Sequence, residues 1–454
     1  MSTHTFVGTV FETPDRHTLN HIPDALIVVQ NGTIQQLIDP TKDATGYASA
    51  LQAAEAAGTL TRLKKGQYFI PGLIDLHVHA PQWPQLGMAL DKPLEEWLQH
   101  YTFPLEAKYK DIEFAEKSYS SLVSTLLANG TTTVAYFASI HLEASVLLAR
   151  ICLDKGQRAV VGRVTMDATD QCPAYYCDPS PQEALRLSES FVQQVRALPG
   201  NTKELVLPAV IPRFIPSCTD ESLRGLGEIA KKYGCHVQTH CSESDWEHNY
   251  VIDRFKKHDA FALDDFGLVT RRTILAHSNH LSHEDMELIK ERGAAVGHCP
   301  LSNAYFAGAI FPLRKALDMD MHVGMGTDIS GGPTASVFEV CRYSLMCARV
   351  LESGTDASLV AARRSQRSGS HVSSLEAFFV ATANGGISLD LKIGRIAPGY
   401  FFDVLVIDTT IPNSSLMIFE DLETPEEVFE KIVYSAAPHN ITHTYVSGRL
   451  VSQR

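Results

Sequence analysis

The sequence predicts an α/β fold. It is a (β/α)8 TIM-like barrel with a small composite β-sandwich domain formed from both termini. Three observations lead there. Short apolar strands and amphipathic helices alternate through the middle of the chain. Eight such strands fall between residues 68 and 328, the spacing of an eight-fold barrel. The doubly wound alternative requires a Gly-rich phosphate-binding turn after the first strand, and the sequence has none.

The elements follow in order. Residues 1–67 hold short β-like runs, among them Ala25-Leu-Ile-Val-Val-Gln30. Asn31-Gly32 comes next, a hairpin signal. The barrel strands are expected at 68–79, 131–139, 158–166, 205–212, 236–243, 273–278, 294–300 and 322–328. One connecting helix follows Asp220 as N-cap. It carries Leu223, Leu226, Ile229 and Ala230 on one face and stops at Gly234. Another starts at Ser282, has Asp285 three residues on, and ends at Gly293. The stretch 363–374 is polar and reads as a solvated loop. β-like runs return at 403–408 and 443–448. Neither terminal part can bury a sheet well alone. The expected division is therefore 1–67 plus 388–454 as one composite β domain, with 68–387 as the barrel inserted between them.

Bulk properties narrow the function. The chain has 454 residues, 44% of them hydrophobic, enough for a large core and more than one domain. The net charge is −13, and no basic block appears, so charge-driven nucleic-acid binding is not expected. No apolar run reaches a membrane-spanning length, so no membrane partner is expected. The first residues lack the pattern of a signal peptide. The nine Cys are dispersed and odd in number, which suggests reduced thiols and a cytoplasmic protein.

The residues that can carry chemistry sit at strand ends. His77 and His79 share one strand face, because strand side chains alternate. Two neighbouring imidazoles on a buried strand can ligate one metal ion. His240 closes the fifth strand, His277 the sixth and Asp328 the eighth. In a barrel the C-terminal strand ends converge on one mouth, so all five can face one point. Three His and one carboxylate suit one Zn²⁺, or Fe²⁺, with a position left for water. Glu243 lies three residues after His240. There its carboxyl can sit beside the metal as an acid/base rather than a ligand. A helix N-terminal acid is the competing reading of Glu243. The sequence has no nucleophile elbow and no phosphate loop. It also lacks the His-x-Glu with Pro-Cys-x-x-Cys design of the other zinc deaminases.

At this point the chain resembles the amidohydrolase superfamily, through Pro71-Gly-Leu-Ile-Asp-Leu-His77-Val-His79. The fourth strand ends Pro212-Arg213-Phe214, with no Lys to bridge two metals. That is similar to the mononuclear branch. Within it the chain resembles the guanine deaminases. The matching pieces include His79-Ala-Pro-Gln82, Pro212-Arg213-Phe214, His240-Cys-Ser-Glu243 and Gly326-Thr-Asp328-Ile-Ser-Gly-Gly332. Ser278 and Leu301 depart from residues frequent in that family.

The resemblance implies hydrolysis of guanine at C2 to xanthine and ammonia. It implies a zinc held by His77, His79, His240 and Asp328. His277 then orients water, Glu243 shuttles the proton, and Gln82, Arg213 and Phe214 hold the purine. It also implies a homodimer. The other readings are a deaminase or chlorohydrolase of another heterocycle (8-oxoguanine, a triazine, an adenosine-type substrate) and a catalytically silent barrel scaffold.

Overall fold

The computed structural model describes residues 3–365, 367–419 and 422–454. These residues form two eight-stranded sheets. The first is the barrel. Its strands are Leu73–His79, Thr131–Phe137, Arg158–Thr165, Val206–Pro212, His236–Cys241, Thr273–His277, Ala295–His298 and His322–Met325, all parallel and in sequence order. Asp328 N–H donates to His77 C=O at 2.8 Å and His79 N–H to Ile329 C=O at 3.0 Å, which joins the eighth strand end to the first. Nearly every residue of these strands is buried, as expected when helices cover a parallel sheet.

The connecting helices follow the capping logic of their sequences. His283–Arg292 starts at Ser282 with a full capping box to Asp285 and ends at Gly293, whose φ is 67°. Asp220–Tyr233 ends at Gly234 in the left-handed region. Its N-cap is Thr219 rather than Asp220, because the Thr219 hydroxyl accepts from Ser222 N–H. Asp220 thus becomes an acid in the first turn, where the helix dipole favours it.

The second sheet collects both termini. Its order runs Arg449–Gln453, Ile441–Val446, Val404–Asp408, Gln67–Pro71, Thr3–Asp15, Thr18–Gln30, Thr33–Ile38, and Leu60–Arg62 pairs with Thr3–Asp15 off that path. The Asn31-Gly32 hairpin is present, with φ of 54° and 89° at its two central residues. Positive φ at both positions is what a tight hairpin turn requires. The sheet curls. Phe6 and Tyr445 lie three strands apart, yet their ring centroids are 5.3 Å from one another. A flat sheet would separate those strands by roughly 14 Å. Phe6, Phe69, Phe402 and Tyr445 therefore share one core.

One expected strand divides. The run 68–79 is not continuous. Gln67–Pro71 pairs antiparallel with Val404–Asp408 in the terminal sheet, whereas Leu73–His79 opens the barrel. Gly72 is the joint, and its N–H donates to Asp403 C=O at 2.8 Å. A Cβ there would lie 2.2 Å from Thr132 Oγ1, so only glycine fits. The expected boundary at residue 67 falls one strand early for that reason.

The expected polar loop is bracketed by Ala361–Arg364 and Ser374–Ala381. Gln366 lies outside the described residues. The thiol expectation also changes. Cys172 and Cys177 form a disulfide, while the other seven Cys are buried thiols.

Candidate active site

Five barrel strands deliver His77, His79, Arg213, His240, His277 and Asp328 to one end of the barrel. The ring centroids of His77 and His79 are 4.8 Å apart, and those of His79 and His240 are 5.0 Å apart. His77 Nε2 lies 3.3 Å and His79 Nε2 3.5 Å from Asp328 Oδ1. Several turns here hold non-glycine residues at positive φ: Ser242 at 48°, His277 at 67°, Ser278 at 58° and Asp328 at 49°. Such backbone costs free energy and clusters where a site demands it. Gly331 belongs to this geometry. A Cβ there would come within 2.9 Å of Asp328 Oδ2.

The hydrogen bonds behind the imidazoles set their tautomers. His77 Nδ1 bonds Gln238 Oε1 at 2.7 Å. His240 Nδ1 bonds the Arg213 carbonyl at 2.6 Å. Both acceptors require N–H at Nδ1, so each Nε2 presents a lone pair to the centre. His77 Nε2 is buried and has no hydrogen-bond partner. His79 Nε2 and His240 Nε2 stand 3.0 Å apart. Burial and the neighbouring imidazoles hold His79 and His240 well below the ordinary histidine range. Burial raises the Asp328 carboxyl, but His77 and His277 outweigh it, and the net position lies below the usual carboxylate range.

Neutral imidazole lone pairs converging beside a carboxylate repel one another unless a cation sits between them. His77, His79 and Asp328 bring ligand atoms close enough to hold one ion, as do His77, His240 and His277. The donor set fits a divalent metal.

Glu243 and His277 stand beside this centre. His277 Nδ1 bonds Asn303 Oδ1 at 2.9 Å. Its Nε2 faces Glu243 Oε2 at 3.7 Å and Asp328 Oδ2 at 4.0 Å. Burial lowers His277 to about 4. Burial, aided by Asp328, pushes the Glu243 carboxyl up to about 8. Glu243 lies just outside the first turn of the next helix. The next helix is Asp245–Phe255, capped by Ser244, and Glu243 precedes it in the loop. The Glu243 N–H is taken by Glu247 Oε2 at 2.8 Å.

A cavity of about 370 Å³ opens over these groups, within the usual size of a small-molecule site. His79, Gln82, Arg213, Phe214, His240, Glu243, His277 and Asp328 line it, while His77, also expected, is fully buried and reaches the cluster through Asp328 rather than lining the cavity. Trp97, Phe103, Trp246 and Phe306 add apolar walls.

Sequence reasoning missed the groups behind the site. Gln238 shares a strand face with His240 and could have been found by alternation. Glu106 is completely buried on the short helix Phe103–Glu106. It binds the Arg213 guanidinium at 2.7 and 3.2 Å and accepts from Gln82 Nε2 at 2.9 Å. Only its position in an apolar segment hinted at a paired charge.

Parallel strands, helices outside and polar groups gathered at the C-terminal strand ends define an enzyme-type barrel with its working face at one end. The chain belongs to the amidohydrolase family, whose model matches residues 68–451. It is 35% identical to a probable guanine deaminase of Schizosaccharomyces pombe, over 98% of this chain and 83% of that protein. It is also 35% identical to the guanine deaminase of Dictyostelium discoideum, over 98% and 97%. Among solved structures, the guanine deaminase of C. acetobutylicum with bound guanine in the active site superposes with a TM-score of 0.85. That pair is 31% identical, over 99% of this chain and all of the other.

Proposed function

We propose that this enzyme hydrolyses guanine at C2, giving xanthine and ammonia. One observation carries the reading. A single cavity holds a metal-type donor cluster, a buried acid and a cationic edge from Arg213 beside Gln82 and Phe214. The guanine held by the C. acetobutylicum relative supports it.

In this reading His77, His79, His240 and Asp328 hold one Zn²⁺, and Fe²⁺ would suit the same donors. A divalent ion there supplies positive charge that makes a nearby water more acidic. The chain does the rest. Glu243 takes the proton of the water and gives one to the ring nitrogen next to C2. A carboxyl raised to about 8 is matched to both roles near neutral pH. Neutral His277 offers Nε2 towards the space between Glu243 and Asp328 and orients the water there. With the water oxygen bonded to C2, Asp328 accepts the remaining hydroxyl proton and returns it to the amine, whose bond to C2 breaks as ammonia leaves. Arg213 offers only donors, which suit a carbonyl and not an amino group at the purine 6-position. Phe214 presents a ring face to the planar base.

The homodimer and the absence of nucleic-acid partners rest on the resemblance and on the charge balance. Among the described residues no helix is long and apolar enough to cross a membrane. The cytoplasmic assignment rested on reduced thiols, which the Cys172–Cys177 pair does not support.

The test is ammonia release from guanine, 8-oxoguanine, adenine and a chlorotriazine, compared as kcat/KM. Guanine is expected to be the best of the four by a wide margin. If another heterocycle leads, the substrate assignment fails.

A further inference from the structure

Arg213 and Gln82 face the cavity, but neither is free to choose its orientation. Both are tied to Glu106, a carboxylate that is completely buried. Arg213 Nη1 donates to Oε2 at 2.7 Å and Nη2 to Oε1 at 3.2 Å. The guanidinium lies over the Phe103 ring, 5.1 Å from its centroid, which fixes its plane from a second direction. Gln82 Nε2 donates to Glu106 Oε1 at 2.9 Å. The Tyr176 hydroxyl, which accepts from Ile140 N–H at 3.3 Å, is held in the same buried neighbourhood.

The consequence for Gln82 is specific. An ionised carboxylate only accepts, so the amide must turn its NH₂ towards Glu106. Gln82 Oε1 is then occupied from the other side by Ser330 N–H at 3.1 Å. Both contacts enforce the same amide orientation. The amide is left with one spare N–H and a single free lone pair on an oxygen already held by Ser330. Arg213 has five N–H groups and gives two to Glu106. Every hydrogen that these two residues still offer is a donor.

We infer that Glu106 is a positioning residue for substrate selection: it clamps Arg213 and fixes the Gln82 amide in one orientation, so that the guanidinium and the amide NH₂ present N–H donors and the site takes 6-oxo over 6-amino purines. This rests on the purine reading above. A plain structural ion pair would neutralise Arg213 without setting the Gln82 amide, and it would not alter which ring edge is preferred.

The experiment compares the holoenzyme with Glu106→Gln and Glu106→Asp. It measures metal content, kcat and KM for guanine, and inhibition constants for hypoxanthine and adenine. The last two carry a carbonyl and an amino group at the 6-position, and neither has a C2 amine to lose. The unsubstituted enzyme should bind hypoxanthine at least about 10-fold tighter than adenine, the worth of a hydrogen bond to a charged group. Glu106→Gln frees the amide and the guanidinium. It should keep its metal, raise the guanine KM more than it lowers kcat, and narrow the hypoxanthine preference by roughly 10-fold. Glu106→Asp keeps the buried charge and so preserves the fold. It should fall between the other two.

If both variants lose guanine turnover with the inhibitor ratio unchanged, Glu106 is structural and the inference is overturned. The same holds if Glu106→Asp matches the unsubstituted enzyme in KM and ratio, even where Glu106→Gln fails to fold. If the unsubstituted enzyme releases no ammonia from guanine, the functional reading itself has failed and this inference falls with it. That outcome is visible before any variant is made.

Discussion

Two of the regions that bury charge in this molecule treat it in opposite ways. At the junction of barrel and terminal sheet, Arg158 and Asp403 are both buried. Arg158 Nε donates to Asp403 at 2.9 Å, its Nη2 reaches Ser447 Oγ at 2.8 Å, and Ser447 N–H closes the loop onto Asp403 at 2.7 Å. The guanidinium also covers the Phe401 ring at 4.3 Å. At the barrel mouth His77 Nε2 has no hydrogen-bond partner, and two imidazole nitrogens confront each other at 3.0 Å. The first region is saturated and the second is left open. Saturation holds parts together. An open valence in a buried place is a cost, and it persists where a ligand will fill it.

That contrast can be broken. The largest effect should come from the open region. His240→Ala should lose most of its metal by elemental analysis, and activity with it. The loss should exceed the roughly 10–100-fold that follows when a group behind a ligand is removed. Full metal retention with normal turnover would show that the imidazoles are merely packed. Glu243→Gln should keep metal and fold while kcat drops on the order of 10²–10⁴-fold. A near-normal kcat in that variant would remove Glu243 from the proton path.

The saturated region should answer in stability alone. Arg158→Met strands the Asp403 carboxylate and should cost about 3–5 kcal/mol, read from denaturant unfolding. Ammonia release per folded molecule should not change. A loss of turnover without a loss of stability would mean that the two regions are not separate.

The smallest effect is a slope. His236 starts the fifth barrel strand, and burial lowers it to about 4 while its Nε2 bonds the Leu389 carbonyl at 2.9 Å. As pH falls below about 6.5, the unfolded chain takes up a proton that the folded state refuses until about 4. Stability therefore declines across that window, by roughly 1 kcal/mol per pH unit from this group. His236→Gln should flatten that limb, and an unaltered pH profile of unfolding would refute the assignment.

The sequence made the barrel readable because buried parallel strands are continuous apolar runs and their helices carry explicit caps, as at Ser282 and Gly293. It made the donor cluster readable because His77 and His79 share a face and strand ends share a rim. Other features were hidden for stated reasons. The division at Gly72 depends on Thr132, which approaches from a neighbouring strand. The Glu106 clamp joins residues 107 positions apart, and no local pattern encodes such a pairing. The Cys172–Cys177 pair has a short spacing that looks like chance among dispersed thiols.

Arg213 has a divided office. Its side chain is committed to the recognition edge, while its carbonyl receives the Nδ1 proton of His240. Any amino acid at that position would supply the same carbonyl. Selectivity can therefore be rewritten there by exchanging the side chain, with the acceptor behind His240 undisturbed. A lineage exploring new heterocycles could change what it accepts one residue at a time, without first passing through an ancestor that had lost its chemistry.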